Sequence, residues 1–276
     1  MPKTQKKKIM KQLNEQQIQD NWIELRGIIN DTFSGERLDK LNKMYDYFED
    51  RMVMAPASGR AHFHNAMVGG YVEHILHVVK FSQEVRDIWE KNGATINFTN
   101  EELVFAALHH DLGKVGDLEH DYYVPQESDW HRKNRGEIFT HNSELQYMTV
   151  TDRACWILQH FEIPMTQWEF IGLRLTDGLY EEGNEKYYKG YNPDFGLRSN
   201  IAYILHQADM MATHIEANQW QRGDKVESEK VQNSVSNIKK AVGKQVEKNN
   251  EVKEKFNTKS TEAKDIFNEL FGEPKK

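Results

Sequence analysis

The stretch "AALHHDLGKVGD", residues 106 to 117, ends an apolar helix in two histidines and an aspartate. Neighbouring residues of a helix project about 100° apart, because one turn takes 3.6 residues. The side chains of His110 and Asp111 can therefore meet only on an ion that lies beyond the end of the helix. An imidazole nitrogen together with a carboxylate oxygen suits a borderline or hard divalent metal. Two ligands do not hold such an ion, so we expect partners from elsewhere in the chain.

Helical periodicity on both sides of this stretch predicts an all-α bundle. Apolar residues recur every three to four positions in two N-terminal segments, which is the pattern of a helix with one buried face. The first stripe consists of Ile18, Trp22, Leu25 and Ile29, and the second of Leu38, Leu41, Tyr45 and Phe48. Further helices are predicted over 69–89, 99–114, 150–161, 167–178 and 200–220, with a small two-stranded hairpin over 121–126 and 136–141. We expect Thr99 or Asn100 to cap the helix that leads into the opening stretch.

The bulk composition narrows the class of protein. The 276 residues carry a net charge of -7, so no overall positive field attracts a nucleic-acid backbone. A single cysteine, Cys155, excludes a disulfide framework and a cysteine-rich zinc site, and its apolar surroundings indicate a buried thiol. Because we find no signal peptide and no apolar run long enough to span a bilayer, we expect a soluble, cytoplasmic protein without a membrane partner.

An isolated His-Asp pair is common by chance, so its context decides whether it carries a function. Here one histidine lies on an earlier helix, the pair ends the next helix, and an aspartate lies on a late helix. The segments "GGYVEHILHVV", "ALHHDLGKVGD" and "LHQADMMA" resemble the HD-domain metal-dependent phosphohydrolase superfamily. The resemblance implies an HD-domain helical bundle with a divalent metal ion (manganese, cobalt, magnesium or iron) held by His74, His110, Asp111 and Asp209. His109 is not expected to be a ligand.

A second likeness is more specific. The segment "PASGRAHFHNAMVGGYVEH" is similar to the opening motif of bacterial HD-domain exoribonucleases that degrade from the three-prime end. This resemblance matches His64 to the second histidine of that motif and His141 to a later metal ligand. Those enzymes carry a His-His pair for a second metal, where this chain has Thr176 and Asp177. Asp177 either coordinates a weak second ion through oxygen or caps the turn at Gly178, so we expect one tightly held ion.

The implied mechanism is hydrolysis at phosphorus, in which a divalent metal lowers the pKa of a water molecule and screens phosphate charge. Lys114 lies one turn beyond His110, where it either contacts a phosphate oxygen or interacts with the helix dipole. Asp117 or Glu119 is the candidate that orients the water or accepts its proton, and spacing does not choose between them. Three further side chains are candidates for substrate phosphate contacts: Arg60, His64 and Arg198.

Three regions are expected from the extent of the resemblance. Helices over 1–55 pack on the core, the HD phosphohydrolase domain covers 56–221, and a charged extension covers 222–276. The extension is rich in lysine, glutamate and asparagine, which predicts a solvated helix or a disordered tail. It ends in an amphipathic segment, 260–272, which is interpreted as a docking helix for a partner or as a strap or homo-oligomer contact.

The substrate is open between three hypotheses. The first is a phosphohydrolase that cleaves a phosphate ester or anhydride of a small nucleotide, which the acidic charge balance favours. The second is an exonuclease that acts on RNA or DNA ends, which the likeness around His64 favours. The third is a non-catalytic HD module that senses a nucleotide, although a module of that kind has no need of intact metal ligands. The aromatic residues of 121–139 either stack on a base or pack the hairpin.

Overall fold

The computed structural model describes residues 12–190, 194 and 196–222, and these are mostly helical, as the sequence predicts. The helices are α1 (Glu15–Thr32), α2 (Gly35–Met54), α3 (Gly70–Lys91), α4 (Asn100–His109), α5 (Asp129–Arg135), α6 (Val150–His160), α7 (Gln167–Arg174), α8 (Glu185–Tyr188) and α9 (Ile201–Arg222), with 3-10 turns at Leu112–Val115, Gly178–Tyr180 and Glu182–Asn184. The described helices include none that is long and apolar enough to cross a membrane. The extension after residue 222 and its amphipathic segment lie outside the described residues.

The N-terminal helix follows its predicted stripe. The four residues of that stripe are the buried residues of α1: Ile18, Trp22, Leu25 and Ile29. Asn14 caps the helix, since its side chain accepts from the backbone of Gln17 while the Gln17 side chain binds the backbone of Asn14. The buried stripe packs α1 against α2 and α3.

The second helix is longer than its predicted stripe and is buried over its last two turns as well. Leu41, Tyr45 and Phe48 are buried as predicted, and Met52 extends the same face. Leu38 was expected to face inward but is only half-buried, because it lies in the first turn, where the helix is still at the surface. This helix contacts both α3 and the 3-10 turn that follows α4.

The centre of the bundle is α4, which is buried on all sides. Thr99 is its N-cap and forms a capping box with Glu102, which resolves the choice between Thr99 and Asn100. The apolar run from Leu103 to Leu108 is fully buried, in contact with α3, α7 and α9. Because the helix runs through the core, its C-terminal end delivers the His-Asp pair to an interior position rather than to the surface.

A close helix contact shapes the chain directly after that pair. A Cβ atom on Gly113 would lie 2.0 Å from the carbonyl oxygen of Val150, the first residue of α6. Only glycine therefore allows the 3-10 turn to pack against the start of α6. The contact holds the turn, and with it Lys114, in a fixed position.

The predicted hairpin is present. Strands β1 (Tyr123–Pro125) and β2 (Phe139–His141) pair antiparallel, with Tyr123 opposite His141. The short helix α5 between them was not predicted, because its seven residues bury no apolar face and so leave no periodic signal. Ser128 caps it, and Gly136 ends it in the left-handed conformation.

Candidate metal centre

Three helices bring together the four side chains that the resemblance implies as ligands. His74 lies on α3, His110 is the C-cap of α4, Asp111 follows it, and Asp209 lies on α9. All four are buried or nearly so. Since α3 packs along both α4 and α9, residues about 35 and 135 positions from His74 meet at one point.

The donor atoms of these residues have the spacing of one coordination shell. The Nε2 atom of His74 lies 3.2 Å from Oδ1 of Asp209, 3.6 Å from Oδ2 of Asp111 and 3.3 Å from Nε2 of His110. The Nε2 atom of His110 lies 3.6 Å from Oδ2 of Asp111 and 3.8 Å from Oδ1 of Asp209. Bonds of about 2.1 Å to one ion place adjacent ligand atoms roughly 3.0 to 3.4 Å apart. This buried cluster could therefore hold a divalent metal ion after small adjustments.

The two imidazoles are oriented by bonds to their other nitrogen. Nδ1 of His110 lies 2.8 Å from the carbonyl oxygen of Ala107, which can only accept, so Nδ1 carries the proton. Nδ1 of His74 lies 3.1 Å from a carboxylate oxygen of Glu216 and donates in the same way. Both rings therefore turn Nε2 toward the cluster. Metal-binding histidines in proteins are held in this manner.

The first histidine of the opening stretch has a different environment. Nδ1 of His109 donates to the carbonyl oxygen of Phe105 at 2.7 Å, and its Nε2 lies 3.3 Å from the hydroxyl group of Tyr45. The residue is fully buried, and burial lowers its pKa to about 3. His109 is thus a neutral, hydrogen-bonded core residue, and the 100° rotation between neighbours separates it from His110.

The charges at the centre favour a cation. Burial lowers the pKa of His74, but Glu216 and Asp209 outweigh this effect and raise it to about 10. Burial raises the pKa of Asp209, but His74 and His110 outweigh it and hold the pKa well below the ordinary value. The carboxylates therefore stay ionised and draw positive charge into a buried site.

Lys114 lies directly beside the cluster. Its Nζ atom donates to Oδ2 of Asp111 at 2.6 Å and to the carbonyl oxygen of Ala57 at 2.9 Å. Burial lowers the pKa of Lys114, but Asp111 outweighs it and raises the pKa above its ordinary value. The ammonium group therefore stays charged next to the candidate ligands.

Asp177 lies near the four donors without joining them. Its side chain makes no capping bond to the turn at Gly178–Tyr180, and Oδ2 instead accepts a long bond of 3.4 Å from Thr151. The residue is exposed overall, yet protein atoms around the carboxyl group desolvate it. That desolvation, followed by the charges of Asp111 and Asp209, raises its pKa. Asp177 thus begins the turn before Gly178 through its backbone, whose carbonyl oxygen accepts from Tyr180, while its coordination of a second ion stays a prediction.

His141 belongs to the hairpin. It ends β2, is exposed, and packs its ring against Tyr122 and Tyr123 at centroid distances of 4.7 and 5.4 Å. Within the described residues, His141 makes no contact with the four candidate metal ligands. Its role as a ligand of a second metal stays a prediction.

The loop that follows the 3-10 turn uses Asp117 for its own conformation. Oδ1 of Asp117 accepts from the backbone nitrogens of Glu119 and His120 at 2.8 and 2.6 Å. Arg51 of α2 donates to the backbone carbonyl groups of Asp117 and Leu118. The structure thus shows Asp117 forming a turn, whereas its position after the His-Asp pair predicted a catalytic role for it or for Glu119, which is exposed. The catalytic role of either carboxylate stays a prediction.

The three candidates for substrate phosphate contacts differ in their positions. Arg60 is exposed and pairs with Glu137 of the hairpin region at 3.2 Å. Arg198 is exposed, and its guanidinium group donates to the carbonyl oxygen of Asp194 at 3.4 Å. His64 is buried, with its ring centroid 4.8 Å from that of His74. Of the three, His64 adjoins the centre.

Sequence reasoning missed Glu216. This residue lies two turns after Asp209 on α9, and its carboxylate binds the Nδ1 atoms of His64, His74 and His77. The signal was present in the sequence, because residues i and i+7 of a helix share a face. When the packing of α3 on α9 is not known, however, a glutamate on a polar helix face is expected to be exposed to solvent.

The chain matches no family model, and no curated protein or solved structure is similar to it. The fold and the site alone define the class of protein. It is a mostly helical protein with a buried cluster of histidine and carboxylate side chains that could hold a metal ion. The resemblance to HD-domain phosphohydrolases stays a prediction from the sequence motifs.

Proposed function

We propose that the protein is an HD-domain metal-dependent phosphohydrolase that cleaves a phosphate ester or anhydride of a nucleotide. The observation that carries the proposal is the convergence of two imidazoles and two carboxylates from three helices, in which Nε2 of each imidazole lies 3.2 to 3.8 Å from both carboxylates. A second observation supports it: the remaining nitrogen of each imidazole is already occupied by an acceptor. A chance cluster of polar core residues has no reason to combine these two features.

A bound divalent ion would supply a water molecule of lowered pKa and a positive charge for a phosphate oxygen. The side chains of His74, His110, Asp111 and Asp209 would hold the ion. Lys114, one turn beyond His110, binds a phosphate oxygen as a second positive charge. Burial of the cluster excludes bulk water and strengthens these interactions.

Two aromatic side chains, one beside Lys114 and one that follows Asp177 in the chain, support a nucleotide as the substrate. Tyr123 lies close enough to Lys114 and Asp111 for their charges to affect its pKa, which burial raises. Tyr180 lies three residues after Asp177 and is 81% exposed, so its ring is open to a planar ligand. A nucleobase stacks on such rings while its phosphate groups reach the metal. The net charge of -7 favours a small nucleotide over a long polyanion.

A substrate panel tests the proposal. Mononucleotides, cyclic dinucleotides and short oligonucleotides are incubated with manganese, cobalt or magnesium, and released phosphate and nucleoside products are quantified. We expect metal-dependent hydrolysis of a small nucleotide that Asp111→Asn abolishes and that Asp87→Asn, an exposed change on α3, leaves intact. Stepwise shortening of oligonucleotides alone would indicate the exonuclease alternative. Tight nucleotide binding without turnover would indicate the sensing module.

A further inference from the structure

One carboxylate of the last helix binds three imidazoles. Oε2 of Glu216 lies 2.7 Å from Nδ1 of His64 and 3.1 Å from Nδ1 of His74, and Oε1 lies 2.8 Å from Nδ1 of His77. Glu216 is 1% exposed, so these bonds are its solvation. A buried carboxylate with three N–H donors lies directly behind a candidate metal ligand.

These contacts are hydrogen bonds and do not form a second metal-binding site. His64, His74 and Glu216 are close enough together to be considered as a metal-binding group. However, 2.7 Å is the length of a charge-assisted hydrogen bond, and it is shorter than the roughly 3.0 to 3.4 Å between adjacent ligands of one ion. The Nε2 atom of His74 also points to the other three donors, so its Nδ1 atom faces Glu216 with a proton.

We propose that Glu216 is the positioning residue of the metal centre. It holds the proton of His74 on Nδ1 and directs Nε2 at the ion, an inference that rests on the proposed metal-dependent function. The same carboxylate fixes the ring of His64, which adjoins His74 at 4.8 Å between centroids. Glu216 touches neither ion nor substrate and acts through these two imidazoles.

The helices explain why one residue reaches two of the three rings, those of His74 and His77. His74 and His77 are three residues apart on α3, and Asp209 and Glu216 are seven apart on α9, so each pair shares a face of its helix. α3 and α9 pack side by side. Asp209 thus faces the Nε2 side of His74 while Glu216 faces the Nδ1 side. The ring is held from both sides by one helix.

The chemistry of the carboxylate predicts the effect of its replacement. A carboxylate has two acceptor oxygens, whereas the amide of Glu216→Gln has one acceptor oxygen and one donor group. That amide carries no negative charge and its single oxygen accepts from at most two of the three N–H donors, so one imidazole loses its bond and the bond to His74 is no longer charge-assisted. Loss of an outer carboxylate of this kind lowers metal affinity by about 10- to 100-fold.

Two measurements on the full-length chain test the proposal. Calorimetric titration with manganese gives the metal affinity, and imidazole ¹H–¹⁵N spectra of the zinc-loaded wild type give the protonated nitrogen of each ring. We expect a 10- to 100-fold loss of affinity in Glu216→Gln and an Nδ1 proton on His74 in the wild type. The matched controls are Glu90→Gln, an exposed change on α3, and His77→Ala, which opens the same cluster but leaves the bond to His74. Both should retain affinity within about threefold.

The outcomes separate this inference from the proposed function. If the wild type binds no divalent metal, the proposed function fails, and the inference fails with it. If the wild type binds metal and Glu216→Gln binds equally well, or if His77→Ala loses as much affinity, only the positioning role is overturned. An Nε2 proton on His74 in the zinc-loaded wild type overturns it as well. This last measurement holds even if Glu216→Gln does not fold.

Discussion

The helical centre and the hairpin side of the molecule use their polar residues in different ways. In the centre, side chains from α3, α4 and α9 point at one another, and Nε2 of each imidazole lies 3.2 to 3.8 Å from both carboxylates. On the hairpin side, Asp117 binds backbone nitrogens of its own turn, and Arg60 pairs with Glu137. Packed helices therefore position donors from distant parts of the chain, whereas a loop uses its polar groups to hold its own backbone.

The largest effect is expected for His110, the histidine of the His-Asp pair. His110→Ala removes a candidate ligand, so hydrolysis should fall on the order of a thousandfold or more, and bound metal should fall with it. His160→Ala, an exposed change at the end of α6, should leave both unchanged. Steady-state rates and elemental analysis after gel filtration measure the two quantities. Full activity of His110→Ala would mean that the centre is not the site of catalysis.

The next effect is the pH dependence of metal binding. Glu216 and Asp209 outweigh burial and raise the pKa of His74 to about 10, so the imidazole carries two protons at neutral pH when no cation is bound. A metal ion must displace the proton on Nε2, and that proton becomes easier to displace as pH rises. Manganese affinity should therefore increase about tenfold per unit between pH 6 and 8. Calorimetry in two buffers of different ionisation enthalpy should show that one proton is released on binding. A manganese affinity that does not change with pH would refute the raised pKa of His74.

A smaller effect concerns the stability that His109 contributes. Burial lowers its pKa to about 3, while the unfolded chain titrates near 6.5. The stabilisation is complete above pH 6.5 and is lost as pH falls toward 3, because the unfolded state takes up the proton first. At pH 5 the loss is on the order of 2 kcal/mol.

The variant His109→Gln has no titrating ring, so its stability should fall less steeply between pH 7 and 5. Urea denaturation at several pH values compares the two slopes, with His160→Gln as the control on an exposed histidine. Because His109 is a core residue and not a candidate metal ligand, hydrolysis at pH 7 by the folded variant should stay within about threefold of the wild type. Equal slopes would show that other groups dominate acid unfolding.

The smallest effect is expected at the hairpin. His141 packs on Tyr122 and Tyr123 and, within the described residues, makes no contact with the four donors. We expect His141→Ala to reduce activity by roughly two- to tenfold through substrate positioning and to leave the tight ion in place. His131→Ala, on α5 of the same hairpin, is the control. If the native protein holds two ions per chain and both His141→Ala and Asp177→Ala hold one, the second-metal alternative is correct.

Local sequence patterns predicted the elements that have strong periodicity or clear turn chemistry. The stripe of α1 is buried residue for residue, and the strands of the hairpin lie within their predicted segments. The patterns failed where an element has no apolar face of its own, as in α5, or lies at the edge of the bundle, as at Leu38. Periodicity reports burial, so it is silent for elements that bury little.

The all-α fold and the His-Asp pair can be predicted from the sequence because both are local: an apolar stripe repeats within one helix, and the pair is two adjacent residues. The roles of the two neighbouring histidines depend on how the helices pack. His109 turns into the core and His110 toward Asp209, because α4 is surrounded by helices that fix its rotation. Glu216 became visible only when α9 was packed on α3, since 142 residues of chain separate it from His74. Contacts at that separation depend on helix packing, which no local pattern encodes.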